Sequence, residues 1–156
     1  MVHSRPARAP VESWLALGFG EKLEVIGIVA LACVAEVAVK IVRLPRLCAL
    51  LGIALVNYGD EDRPLPPSRE LEPTMIQARA RAVDRVYRHW PRTRSCLRRA
   101  LVLGYRVRRA RPVLLIGVAR EEEGDIRAHA WIEVNGEVVG DQHGDWAPLR
   151  SHEDTR

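Results

Sequence analysis

The sequence predicts an α+β domain in which helices pack on a small antiparallel sheet, with an apolar helical hairpin at the N-terminus. Three observations lead there. Apolar residues recur at intervals of three and four up to about Val107, β-branched runs begin after Pro112, and Asn135-Gly136 joins the last two of those runs. Helices followed by an antiparallel meander is the element order of an α+β chain. The 156 residues are 47% hydrophobic, enough for one core and too aliphatic for a disordered chain.

From Glu21 to about Val42 the chain is strongly apolar, but Glu24, Glu36 and Lys40 interrupt it. The longest uncharged run, Val25 to Ala35, is too short to span a bilayer, which needs about 20 apolar residues. A buried or interfacial helix is the reading, with contact to a membrane surface as one use of it. Leu44 to Val56 follows as a second apolar piece, its helix opened by Pro45. Residues 57–73 carry four prolines and mixed charge, which forbids regular elements and makes a semi-rigid linker. The chain thus divides into an apolar helical region (1–56), a linker (57–73) and a catalytic domain (74–156).

Thr74 is a capable cap for a helix whose stripe is Ile76, Ala80, Val83, Tyr87 and Trp90, and which Pro91 ends. Ser95 caps the next helix, which starts at Cys96 and carries Leu97, Ala100 and Leu101, extended to Val107 if Gly104 does not stop it. The strands follow: VLLIGVA after Pro112, then RAHAWIEV and EVVGD around Asn135-Gly136. The tail from Gln142 reads as loop.

The charge is +4. Twelve arginines crowd Arg79 to Arg111 against one acid, Asp84, a field that would attract an acidic partner. Aromatic residues are not interleaved as a base-stacking platform requires, so nucleic acid is not the expected partner. Three cysteines without a CxxC pair fit free thiols in a reducing compartment, and the N-terminus lacks the form of a signal peptide. The chain is therefore placed in the cytoplasm, with its apolar N-terminal helices as the means of any membrane association.

Cys33 and Cys48 lie inside apolar runs and read as inert. Cys96 differs: it opens a helix, where unsatisfied N–H groups and the helix dipole favour a thiolate, and Arg94, Arg98 and Arg99 act in the same sense. His129, at the start of a strand, has the titration range to serve a thiolate and later protonate a leaving amine. Asp141 is the third element, and its place depends on the hairpin. A two-residue Asn135-Gly136 turn sets Val134 opposite Glu137 and Asp141 opposite Ala130, on the wrong face. A three-residue loop, Val134 to Gly136, sets Glu133 opposite Glu137, Trp131 opposite Val139 and His129 opposite Asp141. Asn-Gly suits either. His143, with Asp141 and Asp145, alternates metal-ligand types, but no further cluster completes a site.

These pieces in order resemble the transglutaminase-like superfamily, and within it the leader peptidases of lasso-peptide biosynthesis. The residues are Ser95-Cys96-Leu97-Arg98-Arg99-Ala100-Leu101, Leu115-Ile116-Gly117-Val118, Ala128-His129-Ala130-Trp131-Ile132-Glu133, and Asn135-Gly136-Glu137-Val138-Val139-Gly140-Asp141. The likeness covers Ile76 to Asp141 well and the N-terminal helices loosely. It implies a transglutaminase-like (papain-like) cysteine-protease fold, with Cys96 as nucleophile, His129 as base and acid, and Asp141 as orienting carboxylate. It further implies removal of a leader from a ribosomally made precursor, without cofactor, ahead of a separate cyclase. Fused relatives carry an N-terminal leader-recognition domain; here the first sixty residues read as apolar helices, so a separate leader-binding partner is expected. A non-catalytic scaffold on the same fold is the competing reading.

Overall fold

The computed structural model describes residues 18–56, 71–91, 96–120, 126–140 and 147–148. In chain order they form α1 (Phe19–Ile41), α2 (Leu44–Leu51), β1 (Ala54–Leu55), α3 (Pro73–Tyr87) and α4 (Cys96–Arg106). A 3-10 turn (Arg108–Ala110) leads into β2 (Val113–Arg120), β3 (Ile126–Val134), β4 (Glu137–Val139) and β5 (Ala147–Pro148). The architecture is α+β, as the element order predicted.

The core is organised around α4. Ala100, Leu101, Val102, Leu103 and Gly104 are all buried, so this helix is apolar on nearly every side and must be surrounded. It lies on β3 and β2 and is flanked by α1, α2 and α3. Ile28, Ala32 and Ala35 of α1 and Leu47 and Cys48 of α2 enter the same cluster as Leu101, Leu114 and Ile132. Each of the larger of these side chains contributes about 1.5–3 kcal/mol by leaving water. α1 and α2 are thus walls of this core rather than a hairpin laid over a finished domain. Gly104 does not stop the helix. A Cβ there would stand 2.6 Å from Ile53 Cδ1 and 3.0 Å from Ile132 Cδ1, so glycine is what lets α4 approach the sheet.

Part of the arginine field is turned inward. Arg98 pairs with Glu36 at 2.9 Å, Arg99 with Asp84 at 2.6 Å, and Arg106 with Glu24. Arg79 donates to the Arg106 carbonyl at 2.6 Å, satisfying an end of α4 that has no intrahelical donor. The acids that interrupt the apolar run of α1 therefore clamp it to α4.

Several boundaries differ from the sequence reading. α3 begins at Pro73, the residue suited to a first turn, with Glu72 before it, so Thr74 is not its cap. It ends at Tyr87; Trp90 lies beyond it, its ring 5.6 Å from Tyr87 and its Nε1 donating to Glu36 at 3.3 Å. α2 stops at Leu51, where left-handed Gly52 closes it, and the end of the expected second helix becomes β1. β1 runs parallel to β2 (Ala54 beside Val113), so the sheet is mixed rather than wholly antiparallel. Its order is β1-β2-β3-β4, and β5 pairs with the far half of the same β2 edge (Gly117 beside Pro148). The tail expected to be loop thus supplies a strand, with its proline at an edge, where the missing N–H costs no ladder bond.

Candidate active site

Cys96 is the first residue of α4 and is half-buried. The packing of Ala100, Leu101 and Gly104 against the sheet carries the helix start to the beginning of β3. There Cys96 Sγ lies 4.0 Å from the carbonyl oxygen of Ala128, a weak S–H···O contact. The next residue is His129. The structure therefore brings the thiol to the main chain of the residue before His129, at one end of one strand, while the imidazole itself lies on the sheet face away from α4.

Pleat parity decides what surrounds His129. Ala130, Ile132 and Val134 face the core under α4. Trp131 packs with Val113 and Leu115 on the opposite face of the sheet, and His129 shares it. The His129 and Trp131 rings are 6.2 Å apart with planes 18° from parallel, within stacking range. Trp131 is held in turn, its Nε1 donating to Glu133 at 3.0 Å. Opposite His129 on β2 stands Gly117, so no neighbouring side chain crowds the imidazole from that strand.

The hairpin takes the tight form. Asn135 (φ 56°) and Gly136 (φ 79°) both adopt the left-handed conformation, whose twist suits two antiparallel strands. Val134 pairs with Glu137, Glu133 with Val138 and Ile132 with Val139. The three-residue loop, on which the cross-strand pairing of His129 with Asp141 depended, is not adopted, and Trp131 does not face Val139. The ladder stops there, because Gly140 turns to φ 94°. Asp141 itself, with His143, Asp145 and Ser95, lies outside the described residues. Among the described residues no group of three His, Cys, Asp or Glu side chains is placed to hold a metal.

Gly140 has a consequence the sequence did not announce. A Cβ there would lie 3.3 Å from Arg99 Nη2 and 3.9 Å from Asp84 Oδ2, so the Arg99–Asp84 pair sits directly beneath this turn. Arg99 is one helical turn beyond Cys96. Over the same turn opens a cleft of about 560 Å³ lined by Gln77, Ala80, Arg81, Asp84, Arg85, Arg88 and Gly140. A cationic cleft thus borders the point where the chain leaves β4 for Asp141. The signal in the sequence was Asp84, the single acid among twelve arginines.

The other thiols differ. Cys33 is exposed on α1, and Cys48 is buried, its thiol pushed up to about 11 by desolvation. Burial also pushes the Tyr87 hydroxyl upward, with Glu36 adding to the effect.

A family model described as the transglutaminase-like superfamily matches residues 35–152. That span runs from within α1 through all five strands. No curated protein and no solved structure matches the chain.

Proposed function

Since the chain belongs to the transglutaminase-like superfamily, which includes cysteine peptidases, we propose that it is a cysteine peptidase using Cys96, His129 and Asp141. One observation carries the proposal: Cys96 opens the central helix with its sulfur against Ala128, the residue before His129. A thiol at a helix start, against a strand that carries a histidine, supplies the two group types that nucleophilic catalysis by cysteine uses.

In this reading His129 takes the Cys96 proton and the thiolate attacks a peptide carbonyl. The N–H groups at the start of α4, that of Cys96 first, receive the developing oxyanion. His129 returns the proton to the departing amine, then draws one from water as it attacks the thioester, which releases the acid and restores the thiol. Asp141 orients the imidazole and stabilises its charged form.

The proposed substrate is a leader–core peptide, by the likeness to lasso-peptide leader peptidases. The proposed partners are a separate leader-binding protein and the cyclase that receives the core. The cationic cleft beside Gly140 suits an acidic stretch of that peptide or of the leader-binding protein. The test is cleavage followed by mass spectrometry, with the chain, a precursor and a leader-binding protein, wild type against Cys96→Ala. Hydrolysis at one bond by the wild type alone is the expected result. Equal cleavage by both would remove Cys96 from the mechanism, and binding without cleavage by either would favour the scaffold.

A further inference from the structure

α1 is amphipathic in the reverse of the usual sense. Its three acids are all engaged by neighbouring groups of the protein: Glu21 with the Gly18 amide and Arg85, Glu24 with Arg106, and Glu36 with Arg98 and Trp90. The face opposite the buried Ile28, Ala32 and Ala35 carries Phe19, Leu23, Ile26, Val34, Val37 and Ile41. These residues lie within roughly 60° of one another on either side of a single line along the helix. They are exposed, Phe19 at 79%, Leu23 at 55%, Val37 at 58% and Ile41 at 76%, and no charge falls among them. The stripe runs the length of a 23-residue helix, on the order of 34 Å. Beyond it Leu50 of α2 is 77% exposed. Isolated surface leucines are ordinary, but a continuous stripe of this length marks an interaction surface.

The charges at its edge select the occupant. Lys22 and Lys40 stand on one flank of the stripe, and Arg43 and Arg46 are exposed just past its C-terminal end. A second copy packed antiparallel on this face would bring Lys22 of one protomer to Lys40 of the other, a like-charge contact. A surface that is itself anionic meets every one of these cations favourably. Among the described residues no helix is long and apolar enough to cross a membrane. We infer that α1 lies on an anionic lipid bilayer, its apolar stripe set into the headgroup boundary and Lys22, Lys40, Arg43 and Arg46 on the lipid phosphates. The surface is on the side of α1 away from α4, so bilayer binding and the Cys96 end of α4 do not compete. This inference is independent of the peptidase reading.

The full chain is tested by sedimentation with sucrose-loaded vesicles of phosphatidylcholine alone and of phosphatidylcholine mixed with phosphatidylglycerol. Binding is expected to the mixed vesicles and to weaken with salt. Leu23→Glu with Val37→Glu should reduce it by roughly ten-fold or more. Lys40→Ala with Arg46→Ala, which leaves the apolar stripe intact, should reduce it by roughly five-fold for each cation removed. An unchanged circular-dichroism melt checks that each variant folds. Failure of the wild type to sediment with the mixed vesicles overturns the inference, as does equal binding by the Glu variant. Light scattering that shows a dimer dissociated by Leu23→Glu would give the face to a second copy instead.

Discussion

Cys48 lies in the middle of α2 at 1% exposure, inside the cluster that joins α1, α2 and α4, and its thiol is pushed up to about 11. Cys96 opens α4, half-buried, with its sulfur against a strand that carries a histidine one residue on. Both belong to helices packed on the same core, yet one end of that core is sealed and the other ends at the sheet margin. The difference is one of position relative to the core: the buried thiol is held neutral, while the other stands at the N-terminal end of a helix. A parallel contrast separates α1 from α3. Each packs on the core, but α1 presents apolar residues outward and α3 presents Arg81 and Arg85, with Arg88 just past its end.

The sharpest way to break the contrast is to remove each thiol in turn. Cys96→Ala should abolish peptide cleavage, by roughly 10³-fold or more, and leave the melting curve in place. Cys48→Ala should keep cleavage and lower the stability by about 1–2 kcal/mol, as a buried atom lost from a packed site does. Mass-spectrometric rates and urea unfolding of both variants read the two effects separately.

Next in size is alkaline stability. Cys48 in the unfolded chain releases its proton near 9.0, whereas the folded core holds it neutral to about 11. Its contribution is therefore complete below pH 9 and is lost as pH rises from 9 towards 11, on the order of 2–3 kcal/mol in urea unfolding. Tyr87 acts in the same direction at higher pH, so the comparison is with Cys48→Ala, which should flatten the fall. A wild type whose stability is constant to pH 11 would mean that Cys48 is not sealed.

Smaller still is the effect of the pair beneath Gly140. Asp84→Asn takes the Asp84 charge away from the Arg99–Asp84 pair and should cost about 1–2 kcal/mol. It should also slow cleavage several-fold without changing the thiol, because the turn that leads to Asp141 loses its support. An unaltered rate would separate the cleft from the chemistry.

The sequence carried the core helix and the hairpin well, since both depend on neighbours in the chain: a stripe of Leu97, Ala100 and Leu101 after a proline turn, and Asn-Gly between alternating runs. It did not carry the hairpin register, because Asn-Gly accepts two loop lengths that differ by one residue and so by one face. β1 was hidden because two residues are too few to show alternation, and its pairing with β2 is settled by distant partners. Glu24 and Glu36 looked like interruptions of an apolar run, because Arg106 and Arg98, their partners, come from the other side of the linker. Gly104 raised the right question, whether the helix stops, and the answer lay in Ile53 and Ile132.

The central claim is that Cys96 and His129 act together, and it can be tested without a substrate. The measurement is the rate of iodoacetamide alkylation at each cysteine, read by peptide mass spectrometry at neutral pH in the wild type and in His129→Ala. The account predicts that Cys96 reacts roughly ten-fold or more faster than the exposed Cys33, that Cys48 reacts last, and that His129→Ala brings Cys96 down to the Cys33 rate while Cys33 is unchanged. A Cys96 that reacts no faster than Cys33, or whose rate ignores the loss of His129, would contradict it.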